Sequence, residues 1–175
     1  ENGKVLEQRH TSIKRIISPA KAFIIGSMLR SVVDEGTARS LKDMGILFPV
    51  GGKTGTTNEY KDAWFVGYTP DILALVWVGF DDGSSIHASG ARAALPIWAE
   101  LIGTLPQFVS GNWFKVPPGV VKRTVCSESG QLAIKNRCPH QVEEYFLADN
   151  VPLDYCSIHR RTQFRHMING VKDFV

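Results

Sequence analysis

The chain has 175 residues, 43% of them apolar and 21% charged, a balance that suits one soluble globular domain with its own core and excludes a disordered chain. Twenty Lys and Arg against 17 Asp and Glu leave a formal charge of +3, and no basic run interleaved with aromatics marks a nucleic-acid track, so no nucleic-acid partner is expected. Glu1-Asn2-Gly3-Lys4 carries no targeting signal, and the apolar runs stay well short of the ~18 residues a membrane-spanning helix needs.

The first expected element is a helix opening at Ser18, whose hydroxyl can cap the first turn, with Pro19 at the first helical position, where a missing N–H costs nothing. Ile25, Met28, Leu29, Val32 and Val33 recur at helical spacing and predict a core-facing stripe; Gly36 supplies the stop. A charged, glycine-bearing linker follows. Ile46 to Thr57 reads as a strand stripped of bulk at Gly51, Gly52 and Gly55, which implies that something approaches its backbone closely. Ala63 to Tyr68 and Ile72 to Phe80 read as an antiparallel hairpin around Thr69-Pro70-Asp71. Ala91 to Leu105 reads as a second helix with Pro96 early in it or kinking it. Helix, strand, hairpin, helix predicts an α+β fold, an antiparallel sheet packed on helices rather than a βαβ unit. Trp64, Phe65, Trp77 and Trp98 are expected in its core rather than as a ligand-stacking set.

Near Ser110-Gly111-Asn112 and Pro117-Pro118-Gly119 the texture changes to short segments rich in prolines and charges. Residues 1–110 and 111–175 are therefore expected to be separate units, the second a small extension with little core, running through His159-Arg160-Arg161 to a tail. It holds all three cysteines, Cys126, Cys138 and Cys156. An odd number leaves open one disulfide with a spare thiol, three unpaired thiols, or a metal site with a neighbouring histidine, His140 or His159. The spacing is not that of a zinc finger or ribbon, and no metal ligand is assigned from sequence.

The segment Gly51-Gly52-Lys53-Thr54-Gly55-Thr56-Thr57-Asn58-Glu59 poses the chemical question. A nucleotide-binding Gly-x-x-x-x-Gly-Lys-Thr ending at Thr54 would need glycine at position 47, which is Leu47, and a helix directly after it. Neither condition is met. Lys53-Thr54-Gly55-Thr56-Thr57-Asn58, followed by Asp62-Ala63-Trp64-Phe65-Val66-Gly67-Tyr68-Thr69-Pro70 and Val76-Trp77-Val78-Gly79, resembles instead the penicillin-binding transpeptidases, whose third motif is Lys-Thr-Gly. The likeness is to the bifunctional class A enzymes, and it extends from Met28-Leu29 and Glu35-Gly36-Thr37-Ala38 to Ala94-Leu95-Pro96-Ile97-Trp98.

The resemblance implies a penicillin-binding protein/serine β-lactamase-like fold, of which residues 1–110 are the C-terminal half of the transpeptidase domain. It implies a serine acyl transfer on peptidoglycan stem peptides ending in D-Ala-D-Ala, outside the cytoplasmic membrane, with β-lactam antibiotics acylating the same serine. Lys53, Thr54, Gly55 and Thr56 would bind substrate, with Lys53 and Thr56 taking part in catalysis: Lys53 beside the terminal carboxylate, and the Thr56 N–H as one of two oxyanion donors. No cofactor is implied. A D,D-carboxypeptidase or serine β-lactamase, in which water replaces the acceptor amine, is the alternative enzyme; a non-catalytic cell-wall assembly module is the alternative of another class.

Ser18-Pro19-Ala20-Lys21 and Ser110-Gly111-Asn112 match the family's other motifs, Ser-x-x-Lys and Ser-x-Asn, in letters only. Ser-x-Asn follows Lys-Thr-Gly here, whereas it precedes it in the family, and Ser18 opens the helix just before the Lys-Thr-Gly strand. Ser18 is therefore read as a helix cap and Ser110 as a loop residue. The nucleophile is expected on an upstream part of the same enzyme, leaving this chain inactive by itself.

Overall fold

The structure, a computed structural model, describes residues 12–160; Glu1-Asn2-Gly3-Lys4, Arg161 and the tail lie outside the described residues. Helix α1 spans Pro19–Asp34, and the Ser18 hydroxyl accepts the Lys21 N–H at 3.4 Å, as the cap reading requires. Strands β1 (Gly51–Thr56), β2 (Asp62–Tyr68) and β3 (Leu73–Gly79) form an antiparallel sheet in that order, and α2 (Gly90–Gly103) runs through Pro96. A separate antiparallel pair, β4 (Val120–Cys126) and β5 (Gln141–Leu147), follows. Among the described residues no helix is long and apolar enough to cross a membrane.

The turn between β2 and β3 forms as its residues dictate: the Thr69 N–H donates to the Ile72 carbonyl at 2.9 Å, and the Thr69 hydroxyl accepts the Asp71 and Ile72 N–H groups. One face of the sheet is dry. Phe65, with Ala74, Val76 and Val78 opposite or beside it, packs against Ala94, Leu95, Trp98 and Ile102 of α2, and Ala63 on the same face is fully buried. Trp98 is fully buried, stands edge-on to Phe65 and donates its indole N–H to the Ala74 carbonyl at 3.1 Å.

The first strand is shorter than expected. Ile46 and Val50 are buried in the core but carry no ladder, because β2 ends at Tyr68 opposite Gly51, and Thr69 already belongs to the turn. Two further expectations need correction. In α1 Phe23 and Val33 are buried, whereas Ile25 and Met28 of the expected stripe are exposed. Of the aromatic set, Phe65 and Trp98 are core, but Trp64 and Trp77 pair across β2 and β3 on the outward face, at 37% and 43% exposure. Leu73 and Leu75 are exposed as well, at 68% and 53%. The Trp77 indole N–H donates to the Asp62 carboxylate at 2.9 Å, while the Leu73 and Leu75 side chains stand largely in solvent.

Helix α1 links the two sheets. It lies against β1, Phe23 meets Tyr145 of β5 edge-on at 5.1 Å, and the Arg30 guanidinium sits over Trp113 at 5.4 Å. The close approach implied by Gly51 and Gly52 comes from the protein itself: a Cβ on Gly51 would stand 2.6 Å from the Tyr68 ring, and one on Gly52 2.8 Å from Phe65.

Candidate functional site on the open edge of β1

The edge of β1 is set by strand register. Gly55 pairs with Trp64 and Thr56 with Ala63, and the Thr57 N–H donates to the Asp62 carbonyl at 3.0 Å. Hydrogen-bonded and free positions alternate along an antiparallel strand, so Gly51, Lys53 and Gly55 spend their N–H and C=O groups on β2. Thr54 and Thr56 turn theirs to the edge that has no neighbouring strand among the described residues. Four sequence-predicted residues thus divide into two roles, with Lys53 and Gly55 fixing the ladder and Thr54 and Thr56 presenting an unpaired backbone.

The side chains are placed by distant parts of the chain. The Lys53 amine is exposed and donates to the outward-facing Thr54 carbonyl at 2.6 Å, which keeps its charge over the open edge. The Thr54 hydroxyl shares a 2.9 Å hydrogen bond with Thr37, just after α1. The Thr56 hydroxyl accepts the Gly90 N–H, the first residue of α2, at 3.0 Å. This leaves the Thr56 O–H proton free to donate. Thr37 and Gly90 are second-line residues that no motif near Lys53 announces, since they are 17 and 34 residues away from the threonines they hold.

Gly90 admits no side chain. A Cβ there would run into the Gly55 and Trp64 carbonyl oxygens, so the helix N-terminus lies directly on the β1/β2 pair. The helix start expected from sequence, Ala91, lies one residue too late to include this contact.

The two serines of the misplaced motifs lie elsewhere. Ser18 and Lys21 border a cleft with Leu147, at the end of β5, and Asp149 just after it. Ser110 donates both its hydroxyl (2.6 Å) and its N–H (2.9 Å) to the Asp71 carboxylate, tying the segment after α2 to the β2–β3 turn. These bonds, the hydroxyl first, hold the Asp71 carboxyl below its usual range. A depressed carboxylate pKa adds stability above the unfolded-state value, near 3.9, and loses it as pH falls through the folded value. In Ser110→Ala, a carboxyl-carbon NMR titration is expected to show the Asp71 midpoint moving up toward that ordinary value. A wild-type midpoint already there would contradict the contact.

Comparison with known proteins gives these features a family. The family described as "Penicillin binding protein transpeptidase domain" matches residues 4–102, more than half of the chain. The chain belongs to that family. A second family, "Penicillin-binding protein 1A, C-terminal domain", matches residues 116–161. Penicillin-binding protein 1A of Aquifex aeolicus (strain VF5) is 41% identical over 120 residues, covering 67% of this chain and 16% of that protein. Its namesake in Neisseria flavescens is 41% identical over 123 residues, or 69% of this chain and 15% of that protein. Among solved structures, penicillin-binding protein 1A from Haemophilus influenzae superposes with a TM-score of 0.72 at 29% identity, covering 81% of this chain and 22% of that one. The chain therefore spans only a small part of the length of the relatives it matches.

A second side-chain cluster of the transpeptidase-family chain gathers the end of β4, the turn before β5 and the segment after β5. Cys126, Cys138 and Cys156 are all buried and all unpaired, and the ring of His159 joins them. His140, the other histidine next to a cysteine in sequence, is exposed and contributes only its carbonyl, which accepts the Ser127 N–H. Burial raises the Cys138 thiol. Burial opposes ionisation at Cys156 too, but hydrogen bonds from Ser129, the His159 N–H and the neighbouring thiols bring it down to about 7.

Proposed function

We propose that this chain supplies the substrate-binding strand of a serine-type peptidoglycan D,D-transpeptidase. The observation that carries the reading is the unpaired edge of β1, with the Thr54 and Thr56 backbone groups turned outward beside the Lys53 ammonium. An extended stem peptide ending in D-Ala-D-Ala can dock there as one more strand, its main chain meeting donors and acceptors that do not depend on side-chain identity. Lys53 then faces the terminal carboxylate, and binding draws its amine away from the Thr54 carbonyl.

The serine hydroxyl attacks the carbonyl of the penultimate D-alanine and gives up its proton to a base. The tetrahedral oxyanion is met by the Thr56 N–H and by the N–H of the serine itself. Collapse breaks the C–N bond and releases D-alanine, and the serine ester is then attacked by an amine of a neighbouring stem peptide, which restores the hydroxyl. β-Lactams acylate the same serine. That serine belongs to an upstream part of the enzyme. Two contacts support this: Ser18 caps α1 and Ser110 holds Asp71. The exposed Leu73, Leu75 and Trp77 face supports it as well, as a surface for the rest of the domain to cover. On this reading the transpeptidase portion ends at residue 110 and the small extension begins at 111; the two family matches, to residues 4–102 and 116–161, support a division in that stretch without fixing its position. The enzyme works outside the cytoplasmic membrane, and among the described residues no helix is long and apolar enough to cross it.

The test is intact mass after incubation with a penicillin, on this chain and on a polypeptide carrying the complete transpeptidase domain. One penicilloyl adduct on the longer polypeptide and none on the folded 175-residue chain is the expected pair of results. A stoichiometric adduct on Ser18 of the short chain would overturn the assignment of the nucleophile.

A further inference from the structure

The unit after residue 110 buries little besides sulfur. Its buried cluster consists of Cys126, Cys138 and Cys156, against which half-buried Ala133 and Ile134 pack. A two-stranded sheet such as β4–β5 is marginal by itself, and small units with so little apolar core need a covalent or metal staple. The cysteines supply no disulfide; all three thiols are free.

The donor atoms converge from separate parts of the chain. Cys126 ends β4, Cys138 lies in the turn before β5, and Cys156 and His159 belong to the segment after β5. Backbone hydrogen bonds bring these segments together: Cys126 N–H to the Gln131 carbonyl, Cys156 N–H to the Leu132 carbonyl and Cys138 N–H to the Ile134 carbonyl, at 2.9 to 3.0 Å. The three sulfurs and a ring nitrogen of His159 all lie within 4.8 Å of one another. His159 Nδ1 is 3.5 Å from the Cys126 sulfur and 3.3 Å from that of Cys156. Tetrahedral zinc, with Zn–S of about 2.3 Å and Zn–N of about 2.0 Å, sets sulfur and nitrogen roughly 3.5 Å apart.

The surroundings match as well. The Ile134 N–H points at the Cys138 sulfur (3.2 Å) and the His159 N–H at the Cys156 sulfur (3.4 Å), contacts that stabilise thiolates. The Glu128 carboxylate faces His159 Nε2 at 3.8 Å, on the side away from the sulfurs, where it favours the tautomer that leaves Nδ1 free to ligate.

We propose that Cys126, Cys138, Cys156 and His159 form a structural zinc site that clamps the segment after β5 onto the β4–β5 pair. Three thiolates and an imidazole select zinc over calcium or magnesium, which take oxygen ligands. Four protein donors close the coordination shell, so the site holds structure and leaves no position for a reacting water.

The 175-residue chain, purified under reducing conditions without chelator, is expected to carry one zinc per chain by elemental analysis. Zinc X-ray absorption of the unmutated protein is expected to show three sulfurs at about 2.3 Å and one nitrogen at about 2.0 Å. Cys138→Ser and His159→Ala should each weaken zinc retention at least tenfold, whereas His140→Ala should leave it unchanged. Spectroscopy on the unmutated chain decides the matter even if the cysteine variant fails to fold. A metal-free chain with a disulfide between any two of the cysteines would overturn the proposal, as would stoichiometric iron or a zinc shell that includes His140.

Discussion

Replacing Lys53 by alanine in a polypeptide with the complete transpeptidase domain is expected to slow acylation by penicillin about a hundredfold without altering the melting transition. Lys53 is exposed, and among the described residues its amine hydrogen-bonds only to the neighbouring Thr54 carbonyl. Its removal therefore leaves no buried group orphaned, and the fold loses little. On the proposed reading, the same amine meets a carboxylate in the occupied site. A charge-assisted hydrogen bond of that kind contributes about 1.5–3 kcal/mol, or roughly one to two orders of magnitude in rate when it is made in the transition state. Fluorescent penicillin labelling over time reads the rate, and a thermal melt on the same sample reads the fold. Unchanged labelling would remove Lys53 from the site, and a large drop in melting temperature would mean that the strand, rather than the charge, had been damaged.

Gly90→Ala is expected to be destabilising, against the ordinary trend. At the start of a helix an alanine in place of glycine adds stability, because it restricts the unfolded chain. Here the added methyl collides with the backbone carbonyls of Gly55 and Trp64, atoms that cannot rotate away, so α2 has to lift from the sheet. Overpacking against such rigid neighbours costs about 3 kcal/mol, which for a chain of this size is a fall of roughly 6–12 °C in melting temperature. The shift also pulls the Gly90 N–H from the Thr56 hydroxyl, so penicillin acylation in the complete domain should fall at least tenfold. Thr56→Val, which removes the same hydrogen bond without the collision, separates the two effects: it should reduce acylation while costing less stability. A Gly90→Ala protein that melts higher than the parent would show that α2 does not rest on the strand pair.

The elements legible in the sequence are those written in adjacent residues. Ser18 and Pro19 announce the start of α1, Thr69-Pro70-Asp71 announces the hairpin turn, and Lys53-Thr54-Gly55 with its flanking string carries the family resemblance. Each is a local matter of capping, turn geometry or a short motif, and the structure keeps all of them. The strand start was not legible, because Ile46 to Val50 have the composition of a strand but no ladder partner once β2 ends at Tyr68. Burial of α1 and of the tryptophans was not legible either: periodicity says which side chains share a face, and only the neighbouring element decides whether that face is covered.

The same division runs through both sites. The sequence by itself determined the chemistry on offer, a lysine and two threonines around a glycine, and three cysteines with two candidate histidines. Tertiary structure decided which groups are free and which are held. Strand register turned the Thr54 and Thr56 backbones outward, Thr37 and Gly90 fixed their hydroxyls across 17 and 34 residues, and the fold after β4 brought His159 to the thiols while leaving His140 in solvent. These are long-range contacts, made only when distant segments pack, and no local pattern of residues encodes them.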